Sequence, residues 1–213
     1  MIWRISARWR AGGAALLLAS SCTLSPVPPA PGPPAPEPPP RAAPPPPPAE
    51  TCRRVIEIEV SKRERSLRAR CENGSVVELA VALGRESEGP KRRAGDWRTP
   101  EGRYRIAGPP QSSRFHLFIP INYPSLDDAE AALAEGRLPR ADYRRIIDAH
   151  RRGEPPPRNT ALGGDLGFHG EGQRWRGDST HLDWTYGCVA LSDGDVEFLA
   201  ERAAVGTPVV IRR

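Results

Sequence analysis

Apolar and charged residues alternate from Val55 to Val60, give way to Ser61–Arg65, and a shorter run returns from Ser66 to Arg70. Period-two alternation puts every second side chain on one face, so these stretches predict a hairpin with Val60 opposite Ser66. Val76–Leu83 predicts a third strand after an Asn-Gly turn. Gly84–Gly95 is a polar loop, Thr99-Pro100-Glu101-Gly102 a turn, and Arg103–Ala107 and Phe115–Ile121 are strand-like. The period then changes. Leu126–Glu135 and Arg140–Arg151 have helical spacing without internal Pro or Gly, and Pro155-Pro156-Pro157 ends that region. Leu166–His169 is a short strand, Asp195–Ala203 a helix and Thr207–Ile211 a closing strand. Many short strands with few helices predict a mainly β, sandwich-like domain with a helical insertion at 125–160 and one short C-terminal helix.

Composition changes the picture at the N-terminal end. Of 26 prolines, 15 lie between Pro26 and Pro48, a tract without the apolar side chains that would offset the entropy of ordering. The 163 residues from Thr51 to Arg213 suit one domain. Before the tract, Arg4, Arg8 and Arg10 precede a short apolar run, Ala11–Ala19, and small residues lead to Cys22. This is the layout of a secretory signal, with an apolar run too short to span a bilayer. Leu18-Ala19-Ser20-Ser21-Cys22 resembles a bacterial lipobox, with Ala19 where Leu is usual. The expected organisation is a lipoprotein-type signal peptide at 1–21, a Pro-rich tether at 22–50 and a folded domain at 51–213. Cys22 would carry lipid in the periplasmic envelope, and Thr23 rather than Asp after it favours the outer membrane. In polyproline II geometry the 23 residues from Pro26 to Pro48 reach about 70 Å.

The formal charge is +5, and removing the three N-terminal arginines takes it to +2. So small a charge gives no case for nucleic acid as a partner. The basic clusters Lys62–Arg65 and Lys91–Arg93 are interrupted by Glu or turn residues and read as solvated surface turns.

The chain has four cysteines. An exported protein lives where disulfides persist. The predicted hairpin brings Cys71 opposite Val55, three residues from Cys52, so a Cys52–Cys71 bridge is expected. Cys188 is then the odd thiol, and a leftover cysteine in such a protein points to a reactive group or an intermolecular bridge.

Three stretches carry chemistry: Thr99-Pro100-Glu101-Gly102-Arg103-Tyr104, Gly167-Phe168-His169-Gly170 and Asp183-Trp184-Thr185-Tyr186-Gly187-Cys188. Together they resemble the L,D-transpeptidase (YkuD-type) catalytic domain, in which a His-Gly or His-Ser element precedes Ser/Thr-x-Gly-Cys by fewer than twenty residues. Here 18 residues separate His169 from Cys188. The Asp-Trp-Thr-x-Gly-Cys form resembles one branch, as do Phe115-His116-Leu117 and Tyr123-Pro124. Gly206-Thr207-Pro208-Val209 resembles the closing strand. The resemblance covers roughly Arg54–Ile211 and implies a β-sandwich of that family. It also implies a peptidoglycan enzyme whose Cys188 forms a thioester with a stem peptide, releases D-alanine and passes the acyl group to an amine, giving a 3→3 cross-link. His169 would be the base, oriented by the backbone carbonyl of Gly170.

A thiol of pKa ~8.5 is mostly protonated at neutral pH, so it needs a neighbouring imidazole to take its proton. Tetrahedral intermediates need donors aimed at the oxyanion, and the backbone N–H groups around Tyr186, Gly187 and Cys188 are the candidates. His181, Thr185, His116 and Tyr123 are further candidates for touching substrate, the plain reading of each histidine being a surface or hydrogen-bonded ring. His150 reads as solvated. The two acyl-transfer steps require no cofactor. No His-Glu-x-x-His or Cys-x-x-Cys stands in the chain to hold zinc. A monomer is expected.

The chain departs from the family pattern twice. Many members have histidine before Gly-Cys, where Tyr186 stands, and arginine two residues after the cysteine, where Ala190 stands. The insertion at 125–160 could cover the cleft as a lid. Two alternatives remain open: a carboxypeptidase or amidase that resolves the thioester with water, and a non-catalytic wall-binding module.

Overall fold

The computed structural model describes residues 52–174 and 182–213, with the Arg174 side chain left aside. The signal, lipidation and tether expectations, and His181, therefore lie outside the described residues. The strands are β1 Val55–Ser61, β2 Ser66–Cys71, β3 Val76–Ala80, β4 Gly102–Arg105, β5 Gln111–Ser113, β6 His116–Pro120, β7 Gly167–His169, β8 Val189–Ala190 and β9 Pro208–Arg212. The helices are α1 Leu126–Ala134, α2 Arg140–Arg152 and α3 Asp193–Arg202. One sheet has the order β3-β2-β1-β9-β4 and the other β5-β6-β7-β8. The architecture is the mainly β one that the patterning predicts.

The β1–β2 register differs from the predicted one. Val60 faces Leu67 and Ser61 faces Ser66, so the turn is one residue tighter than expected. A bulge between Val55 and Glu57 restores the offset and brings Cys71 opposite Val55. The bulge also breaks the burial alternation: Val55, Ile58 and Val60 are buried, while Ile56 is half-buried. Cys52 and Cys71 are disulfide-bonded across this end, with Cα atoms 5.5 Å apart.

Three further differences have local causes. β3 stops at Ala80 because Val81–Leu83 leaves the sheet; Ala82 bridges to Ala190 and Gly84 to Thr185. All three of these residues are buried, a continuous run that alternation cannot register. β5 consists of Gln111-Ser112-Ser113 and carries no apolar signal. α3 begins two residues early because Ser192 accepts the Asp195 N–H as its N-cap.

The charged turns are not all solvated. Lys62 is 2% exposed and Lys91 8%. The Lys62 ammonium donates to Gly89 O, Thr99 O and Glu101 Oε1, at 2.6, 3.0 and 2.8 Å. Lys91 pairs with Asp96 at 2.7 Å. These buried ammonium groups gather backbone carbonyls and acids, which is how a turn without apolar residues is held. Lys62 thereby pins the Thr99-Pro100-Glu101 segment, which is extended into β4 rather than turned as predicted, beside the β1–β2 hairpin.

α1 and α2 pack on each other. α1 starts from a capping box between Ser125 and Asp128, and α2 ends on Gly153 in the left-handed conformation. Ile146 and Ala149 of α2 are buried. His150 is half-buried, its Nε2 2.8 Å from Pro124 O, so it is not simply solvated.

Candidate active site

Cys188 stands at the end of a loop whose backbone is tied down residue by residue. The Asp183 carboxylate accepts from Leu83 N at 3.0 Å and pairs with Arg65 at 2.6 Å. Thr185 is buried and donates its N–H to Leu83 O, while its carbonyl accepts from Arg85 N. Its hydroxyl accepts from Gly187 N at 3.0 Å and donates to Cys188 O at 2.7 Å. One side chain thus closes the turn that presents the sulfur. Gly187 has φ +129, and a Cβ there would stand 2.7 Å from Arg98 O. A side-chain-bearing residue would be strained there and would push the loop off the Arg98 backbone.

His169 arrives on β7, paired in parallel with β8 so that His169 faces Ala190 and Phe168 faces Val189. Its Nδ1 lies 2.7 Å from Gly170 O. A carbonyl only accepts, so Nδ1 carries the hydrogen and the neutral ring keeps its lone pair on Nε2. The ring is 4% exposed. It stacks on Phe115 at 4.7 Å between centroids and meets Trp184 edge-on at 5.3 Å. Burial is the main cause holding its pKa below the ordinary value; the Gly170 bond opposes this, and the Arg114 charge adds to it.

Cys188 is half-buried, and its thiol donates to Asp165 O across 3.7 Å rather than to the imidazole. Burial pushes the thiol pKa up to about 11, against a backbone hydrogen bond with Gly167. Both side chains line one cavity of about 730 Å³, together with Trp184, Tyr186, Arg85 and Arg114. A thiol, a neutral imidazole with one free nitrogen, and an open cleft are the parts of nucleophilic acyl chemistry.

The other sequence candidates separate. Thr185 and Tyr186 line the cavity. The Thr185 hydroxyl is engaged within its own loop, which suits a shaping part rather than a substrate contact. The Gly187 N–H is spent on that hydroxyl and is not available as an oxyanion donor. Tyr186 is exposed, with its ring 6.0 Å from Trp97. Tyr123 is a core residue, 2% exposed, its hydroxyl donating to Leu162 O. His116 is drawn to α3, its Nε2 2.6 Å from Glu197 Oε1, and does not line the cavity. No residue of 125–160 lines the cavity either. The insertion instead meets the loop before Thr99: Arg92 pairs with Glu135, and Arg137 donates to Arg92 O at 2.6 Å.

Sequence reading missed Arg65, Arg85, Arg114 and Asp193. Asp193 Oδ1 accepts from Glu171 N and Gly172 N and so fixes the chain just after His169. Arg65 meets its partner across 118 residues, a separation no local pattern encodes. Among the described residues, no group of three His, Cys, Asp or Glu could hold a metal ion, and no helix is long and apolar enough to cross a membrane.

Residues 55–211 match the family model for the L,D-transpeptidase catalytic domain (YkuD). No curated protein matches the chain. Among solved structures, Bd1075 of Bdellovibrio bacteriovorus is 21% identical, with 75% of this chain and 48% of that one covered, at TM-score 0.43. An L,D-transpeptidase from Mycobacterium smegmatis is 11% identical, with 75% and 59% covered, at TM-score 0.43. One from Mycobacterium tuberculosis H37Rv is 12% identical, with 75% and 58% covered, at TM-score 0.44. This chain thus spans about half to three-fifths of those proteins' lengths.

Proposed function

The chain belongs to the YkuD family of L,D-transpeptidase catalytic domains, and on that premise we propose that it is a peptidoglycan L,D-transpeptidase with Cys188 as nucleophile and His169 as base. The observation that carries this reading is the shared cavity. Two adjacent parallel strands bring to it a lone thiol and an imidazole whose Nδ1 is fixed by Gly170 O.

The steps follow from those groups. The thiol turns from Asp165 O toward the imidazole, and Nε2 takes its proton as sulfur bonds to the carbonyl carbon of the stem peptide's third residue. The Tyr186 and Cys188 N–H groups are the remaining donors for the oxyanion. The carbon–nitrogen bond then breaks, the imidazolium returns its proton to the departing nitrogen, and D-alanine leaves. An amine of a second stem gives its proton to His169 and attacks the thioester, which restores the thiol and forms a 3→3 cross-link. Water in place of that amine would make the same site a carboxypeptidase. In the same reading, residues 1–21 address the chain to the envelope, Cys22 carries lipid, and 22–50 span the distance to the wall. No second copy takes part.

The test is mass spectrometry of the protein with a tetrapeptide muropeptide. We expect an acyl adduct on Cys188, release of D-alanine and cross-linked dimers, all absent from Cys188→Ala. Undiminished release by that variant rejects the mechanism, and trimmed monomers without dimers assign hydrolysis instead.

A further inference from the structure

The cavity contains a cation that this acyl transfer has not yet used. Arg114 lies in the short connection between β5 and β6, and that connection is pressed against the chain leaving His169. A Cβ on Gly172, at φ +63, would sit 2.5 Å from Arg114 O, and one on Gly170 would sit 2.9 Å from Phe115 O. Only glycines allow this approach, and Asp193 holds the Gly172 N–H from the other side. The two backbones therefore fix how far Arg114 stands from His169.

The side chains continue the arrangement. The Arg114 guanidinium lies 4.7 Å from the Phe115 ring centroid, and that ring stacks on His169. Among the described residues no carboxylate pairs with Arg114, whereas Arg65, Arg92 and Arg137 each have an acid. A guanidinium resting on an aromatic face keeps its in-plane N–H groups free, and their fork matches a carboxylate.

The reaction states where a carboxylate would be. The departing nitrogen is protonated by the imidazolium, so the leaving residue sits on the His169 side of the sulfur. When that residue is the last of the stem, the carbon bearing its nitrogen also bears a free carboxylate. Arg85, the cavity's other arginine without an acid among the described residues, is taken up by the Cys188 loop instead: its backbone is bonded to Thr185, and its guanidinium lies 5.5 and 5.3 Å from the Trp97 and Tyr186 rings.

We propose that Arg114 is the specificity determinant for the leaving residue, binding its free α-carboxylate so that the site selects stem peptides ending one residue beyond the scissile bond. This rests on the acyl-transfer reading for its orientation. An acceptor whose amine and carboxylate share one carbon would use the same contact.

The test compares a tetrapeptide stem ending in a free acid with the same peptide ending in a carboxamide. Binding is measured by calorimetry to the full chain carrying Cys188→Ala, alone and with Arg114→Ala, Arg114→Lys or Arg85→Ala. The acid should bind at least about tenfold more tightly than the amide. Arg114→Ala should abolish the preference, Arg114→Lys should keep part of it, and Arg85→Ala should leave it intact. Circular dichroism checks that each variant is folded, and Arg114 is exposed enough to be truncated safely. A preference that survives Arg114→Ala, or is lost with Arg85→Ala instead, overturns the inference while D-alanine release by the unmodified chain still supports the reaction. An Arg114-dependent preference without any D-alanine release would sink the acyl-transfer reading and leave the carboxylate site. Failure of the free-acid peptide to bind overturns the inference.

Discussion

A thiol raised toward 11 and an imidazole held below its ordinary value do not exchange a proton at rest. The resting site is then a neutral pair, and only about one sulfur in ten thousand is thiolate at pH 7. Alkylation of Cys188 by iodoacetamide should therefore be slow at pH 7 and rise about tenfold per pH unit toward the thiol pKa. Peptide mapping of the adduct reads it, and a rate already flat from pH 7 to 9 would mean a preformed thiolate–imidazolium pair. Turnover behaves differently, because the base acts during attack. Protonated His169 cannot accept, so kcat/KM should fall with acid; its lowered pKa puts that fall below about 6.5. D-Alanine release measured from pH 4 to 9 checks the sign. At this scale the sequence was informative where chemistry demands a residue type: a lone thiol, a histidine, and a following backbone carbonyl. It was silent on which N–H groups are free, because the Thr185 hydroxyl that consumes the Gly187 donor depends on a loop geometry. Tyr123 and His116 were candidates by motif alone, and their neighbours Leu162 and Glu197 lie 39 and 81 residues away in the chain.

Between elements, Lys62 has a role that its charged turn hides. It is buried, satisfied by two carbonyls and Glu101, and it holds the segment that leads into β4. Burial drags its pKa down, and Glu101 opposes that. Removing one partner leaves a poorly solvated charge, so Lys62→Met should cost about 3 kcal/mol. Adding Glu101→Gln should recover much of it. Urea denaturation of the single and double variants closes the cycle, and additive losses would show that the two side chains are not coupled. Patterning exposed the strands with regular alternation and the two helices of the insertion, while the Ser192 cap that starts α3 went unread. It failed at the β1 bulge, where one extra residue shifts the phase, and at β5, whose three polar residues are a strand only because β6 lies beside them. It also failed for the charged turns, since burial of an ammonium depends on carbonyls supplied by distant loops.

In the whole domain, the first and last strands are neighbours. β9 lies between β1 and β4, and Ile58 faces Val209 across 151 residues of chain. Val209 and Ile211 are buried in the core that α3 also fills. So distant a pairing closes late in folding, because the loop entropy is spent before the contact is gained. Deleting residues 208–213 would detach β4, leave β1 with one partner, and remove two apolar side chains worth about 2 kcal/mol each. With the lost ladder bonds at about 1 kcal/mol each, the total is comparable to the whole stability of such a domain, about 5–15 kcal/mol. The truncated chain should show no cooperative urea transition in tryptophan fluorescence, even with the Cys52–Cys71 bridge oxidised, because that bridge ties only the β1–β2 end. A chain beginning at Thr51 should keep the full-length midpoint, since every strand among the described residues and the bridge lie beyond it. A transition in the C-terminal deletion at an unchanged midpoint would show that β1, β2 and β3 hold the core without β9, and that closure by the last strand is not what makes the domain cooperative.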